Sequence, residues 1–172
     1  RNIIVVDISG AGVNKKPDVI GTRTIYIKNS INMGGVLDFD RNFMDSFNRL
    51  GYLDTMKTFG RYRGIDFFIE PDEKTEGAFR DFLETRQGQE TLMNRPATGL
   101  AKKPATDTAE AVRRLLPPKV RYNPNWLALF ADCAATTTGL KRVKAWTYPE
   151  LFDAIIEAEQ ELRLEAEEVA KA

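Results

Sequence analysis

Histidine is the side chain that most often moves protons near neutral pH and ligates transition metals, and this chain of 172 residues contains none. Ser–His and Cys–His nucleophilic machinery is therefore excluded within it. Cys133 is the single cysteine, so neither an intrachain disulfide nor a cysteine-rich zinc site can form. Set among Phe130, Ala134 and Ala135, it reads as a small packing residue. Glu70 with Asp72, and Asp81 with Glu84, have the residue types of acid–base pairs. In a chain carrying 25 acidic and 25 basic residues they read instead as solvated turn and helix surface. Gly10-Ala-Gly12 follows an apolar run, where a dinucleotide loop belongs, but Lys15 stands at the third glycine position and no helix opens after it. Asp38-Phe-Asp-Arg-Asn42 starts like a calcium loop, yet Phe43 fills its glycine position and Arg49 its bidentate glutamate position. No catalytic, cofactor-binding or metal-ligating residue is expected, and no enzyme.

The elements that position the remaining side chains follow from periodicity. Ile3-Ile-Val-Val6 and Thr22-Arg-Thr-Ile-Tyr-Ile27 are β-branched, apolar runs separated by Gly, Asn, Lys and Pro, and predict extended chain. Residues 1–36 then form either a short hairpin or an arm laid on a partner or on the main body. From Phe39 the period changes: Phe39, Phe43, Phe47 and Leu50 share one helical face and Gly51 ends it. Leu53, Met56, Phe59 and Tyr62 repeat the pattern up to Gly64. A third helix is expected over about 76–92, with Thr75 as its cap and Phe79, Phe82 and Leu83 inward. Residues 94–105 read as a loop. A fourth helix, capped by Thr106 or Asp107, closes at Pro117-Pro118. A fifth follows Pro124 with Trp126, Leu127, Phe130 and Cys133 inward, and a short one spans Leu140 to Trp146. Thr147-Tyr-Pro-Glu150 fits a capping box. Beyond it Leu151, Phe152, Ile155, Ile156, Leu162 and Val169 supply an apolar stripe between glutamates. No apolar run approaches the roughly 20 residues of a membrane span. The chain thus divides into residues 1–36 and a helical domain over 37–172.

Net charge is zero, but the charge is segregated. Thr147–Ala172 holds eight acidic and two basic residues, whereas Arg95–Tyr122 holds seven basic residues against Asp107 and Glu110. The basic stretch, with Tyr122 and Trp126 beside it, suits RNA phosphates and bases, or an acidic protein surface, or the chain's own acidic tail. A neutral chain lacks the domain-wide basic footprint of a nucleic-acid binder, which favours protein. The interface candidates are Ile3, Val5, Ile25, Tyr26, Arg113, Arg114, Tyr122 and Trp126. Arg1 stands where a methionine would open a nascent chain, and is read as the product of trimming, as a removed targeting peptide would leave.

Phe43-Met-Asp-Ser-Phe-Asn-Arg-Leu-Gly51-Tyr-Leu-Asp-Thr-Met-Lys-Thr-Phe59 resembles a pentatricopeptide repeat, in which a glycine ends the first helix before a leucine–acid pair opens the second. Asn125-Trp-Leu-Ala-Leu-Phe-Ala-Asp-Cys-Ala-Ala135 with Gly139-Leu-Lys-Arg-Val-Lys-Ala145 looks like a degenerate second copy. The resemblance implies an all-α fold, a degenerate helix-turn-helix superhelix with an extended N-terminal arm. Gly51 to Gly64 is shorter than the family's spacing and Thr136 to Thr138 lengthens the second turn, so no RNA-contact residue is carried over. In size and layout the chain further resembles the extra subunits of euglenozoan mitochondrial F1-ATPase. That likeness implies a noncatalytic structural subunit in the mitochondrial matrix or on the matrix face of the inner membrane, docked outside the F1 alpha subunit. The catalytic residues of that proton-transport machine would lie in other chains.

Overall fold

The structure is a computed structural model and describes residues 1–7, 20–31, 41–93, 110, 113–114, 116, 118, 121, 123 and 125–171. These residues are mainly helical, with a few short strands. The chain forms two compact units, and both are discontinuous in sequence.

The first unit comprises Arg1–Glu70 and Lys141–Trp146. Strands β1 (Asn2–Asp7) and β2 (Arg23–Lys28) pair in parallel, from Asn2 opposite Arg23 to Asp7 opposite Lys28. A hairpin pairs its strands antiparallel, so that reading of residues 1–36 is corrected. Parallel strands need a long return connection, and residues 8–22 provide the length. Tyr26, opposite Val5, reaches along the neighbouring strand and donates its phenol proton to Asp7 Oδ2 at 2.6 Å.

Helix α1 runs unbroken from Arg41 to Thr58. The sequence pattern predicts two helices here with a stop at Gly51; that glycine instead lies within the helix. Leu50 and Leu53, on either side of it, are both buried and join Tyr62 and Phe68 in one apolar cluster. Burial of that shared face outweighs the roughly 1 kcal/mol that an interior glycine costs. The helix stops at Gly60, whose φ is +85°. The Gly60 amide donates to the Lys57 carbonyl and the Arg61 amide to the Met56 carbonyl, both at 2.9 Å, the paired bonds of a Schellman ending. Buried Asp54 accepts the Ser30 amide at 3.1 Å and ties the segment after β2 to the helix.

Residues 140–146, expected to be helical, contain strand β4 (Ala145–Trp146), which pairs in parallel with β3 (Phe68–Ile69). The Glu70 amide extends the ladder to the Trp146 carbonyl at 2.8 Å. Phe67, Phe68 and Ile69 are all fully buried. Local propensity loses here to pairing with chain that is distant in sequence.

The second unit comprises Pro71–Leu140 and Thr147–Ala172. The helix expected over 76–92 is two: α2 (Glu73–Glu84) and α3 (Arg86–Met93), broken at Thr85. Asp72 caps α2, accepting from the Lys74 amide, while Thr75, the expected cap, donates its hydroxyl to the Asp72 carboxylate. A Cβ at Gly88 would collide with the Phe82 carbonyl, so the elbow between α2 and α3 requires glycine there. Helix α4 (Trp126–Thr136) buries Leu127, Ala128, Leu129, Ala131, Asp132 and Ala135, leaving Trp126, Phe130 and Cys133 half-buried. Helix α5 (Tyr148–Lys171) begins with the predicted capping box. The Thr147 amide donates to Glu150 Oε2 at 3.2 Å and the Glu150 amide to Thr147 Oγ1 at 3.5 Å. Tyr148, also buried, donates to Glu76 Oε1 at 3.0 Å and pins the start of α5 to α2.

Candidate functional site

The carboxylate pairs occupy ordinary surroundings. Asp72, Asp81 and Glu84 are exposed and Glu70 is half-buried. The Thr75 hydroxyl and Lys74 amide hold Asp72 below the usual carboxylate range, which keeps it ionised and suits capping rather than proton donation. Among the described residues no group of three potential ligands converges on a metal position. In the second unit a cleft lined by Glu76, Phe79, Arg80, Asn125, Trp126 and Leu127 offers about 30 Å³. That volume suits a water molecule, not a metabolite.

The predicted interface residues divide between the two units. Ile3, Val5, Ile25 and Tyr26 lie on β1 and β2, all half-buried. Strand alternation sets Ile3, Val5 and Tyr26 on one face and Ile25 on the other, with Ile4 and Val6. Those last two, which sequence reasoning passed over, are the exposed ones, at 57% and 61%. Ile27 shares their face but is buried, and α1 packs on β2. The apolar edge therefore lies along β1.

Arg113 and Arg114 are half-buried in the second unit. Arg114 pairs with Glu110 at 2.7 Å. Arg121 donates Nε to the Arg113 carbonyl at 3.1 Å and a terminal nitrogen to the Leu116 carbonyl at 3.4 Å. These bonds commit two cations of the basic stretch to the chain itself. Tyr122 and all of residues 94–109, with the expected loop over 94–105 and the Thr106 or Asp107 cap, lie outside the described residues. Trp126 packs against Phe79, ring centroids 5.9 Å apart, on the wall of the small cleft.

A second exposed apolar feature lies on α5. Up to Ile155 its inward residues are buried, but every described side chain from Glu159 onward is exposed, including Leu162 and Val169. The sequence stripe is continuous; its covering is not.

Compared with protein families, with curated proteins and with solved structures, the chain shows no match.

Proposed function

We propose that this chain is a noncatalytic structural subunit of a large assembly, in the manner of the extra eighteen-kilodalton subunit of euglenozoan mitochondrial F1-ATPase, docked on the outside of the alpha subunit in the mitochondrial matrix. The observation that carries the docking role is the exposed apolar edge of β1. Parallel strands are normally covered on both faces, and Ile4 and Val6 are more than half exposed. A partner chain laid along β1 would bury both and take up edge hydrogen bonds. The choice of F1 rests on the likeness of size, helical content and layout. Pentatricopeptide-like stacking is no part of that support: Phe43–Phe59 lies largely in one continuous helix, and residues 140–146 form no second helix after α4.

The test is affinity capture of the tagged 172-residue chain from euglenozoan mitochondria, beside an Ile4→Asp/Val6→Asp variant. Recovery of alpha and beta ATPase subunits, falling about tenfold in the variant, supports the reading. Recovery of ribosomal RNA through a complex that weakens steeply with salt would overturn it in favour of an RNA-binding role.

A further inference from the structure

Helix α5 carries one apolar seam along its length. At about 100° per residue, Tyr148, Leu151, Ile155, Ala158, Leu162 and Val169 fall within an arc of roughly 80°. Tyr148, Ile155, Leu162 and Val169 recur every seventh residue, the spacing of a coiled-coil core position. The second unit buries the first half of this seam, with Tyr148, Leu151 and Ile155 all less than a tenth exposed. The second half is open: Leu162 is 49% exposed and Val169 78%.

The charges beside the open half are almost all of one sign. Glu159, Glu161 and Glu165 flank the seam, and all three are exposed. Arg163 lies 3.9 Å from Glu159 on the same helix. A second copy of α5 would set glutamate against glutamate, which disfavours self-pairing. An anionic lipid surface is disfavoured for the same reason.

We infer that residues 159–171 of α5 are a docking rod for a basic amphipathic helix of a partner protein. Apolar residues of that helix pack on Leu162 and Val169, while its Lys or Arg side chains face Glu159, Glu161 and Glu165. The rod offers about 20 Å of helix. This inference concerns a different surface from β1 and stands without the F1 assignment.

The 172-residue chain is titrated with a fluorescein-labelled peptide of about three heptads, Leu and Ile at its core positions and Lys at the flanking ones. A twin peptide carries Glu at the flanking positions. The expected result is at least about tenfold tighter binding of the lysine peptide, a gap that narrows as salt rises. Leu162→Asp/Val169→Asp removes that binding although it adds negative charge. Leu164→Asp, on the opposite face, retains it. Both variants alter exposed positions, and unchanged melting temperatures verify the fold. Equal affinity for the two peptides, no binding of either, or survival of binding in the double variant would each overturn the inference. So would concentration-dependent self-association, lost in the same variant, in sedimentation of the chain alone.

Discussion

Asp54 is a buried acid within a helix, and the Ser30 amide gives it a partner from outside that helix. Asp54→Ala should cost about 1–3 kcal/mol in denaturant unfolding, and Asp54→Asn, which keeps a carbonyl acceptor, distinctly less. Two other side chains predict opposite pH dependences. The bond from Tyr26 to Asp7 favours the neutral phenol and raises its pKa. Its contribution to stability is complete below the ordinary tyrosine value of about 10 and is lost as pH rises through the raised value. Tyr26→Phe should accordingly delete, from an alkaline absorbance titration, one phenol ionising later than an ordinary tyrosine. Loss of a phenol with an ordinary midpoint would contradict the bond. Asp72 runs the other way: its lowered pKa gives a contribution present above about 3.9 and lost as pH falls through the folded value. Asp72→Ala should lower the melting temperature at neutral pH, and the difference from the parent should shrink in strong acid. Neither hydrogen bond was readable in the sequence, because each depends on a backbone conformation or strand register that residue order alone leaves open.

At the scale of elements, two glycines test how α1 is built. Gly51 lies mid-helix, and a Cβ built on it meets nothing within 4 Å. Gly51→Ala should stabilise the chain by about 0.5–1 kcal/mol. Gly60 ends the helix with a positive φ, so Gly60→Ala should destabilise it by roughly 1–2 kcal/mol. A turn at Gly51 would reverse the first sign, so chemical denaturation of the two variants decides between one helix and two. The capping box at Thr147 was legible because its partners lie three residues apart, within reach of local reasoning. The strand at Ala145–Trp146 was not, since its partner Phe68–Ile69 lies far back in the sequence. Parallel pairing of β1 with β2 was hidden for a similar reason: two apolar runs do not disclose their relative direction. The apolar runs did locate the strands, but they ranked Ile3 and Val5 above the more exposed Ile4 and Val6, because alternation does not reveal which face is covered.

For the whole molecule, the decisive fact is that the chain leaves the first unit at Glu70, returns for Lys141–Trp146, and leaves again. The first unit depends on a strand made late in the sequence. A chain ending at Leu140 should lose protection of the Glu70 amide, which donates to the Trp146 carbonyl, exchanging at least about tenfold faster in hydrogen–deuterium measurements. A chain ending at Ala158, which lacks only the open half of α5, should leave that amide protected. The same division sorts the two tryptophans of the sequence, since Trp146 belongs to the first unit and Trp126 to the second. Their surroundings differ, with the Lys144 ammonium 3.8 Å above the Trp146 ring and the Phe79 ring beside Trp126. The protein thus carries two intrinsic fluorophores, one per lobe. In Trp126→Phe or Trp146→Phe, the remaining emission follows the melting of a single lobe by light alone, with no dye attached.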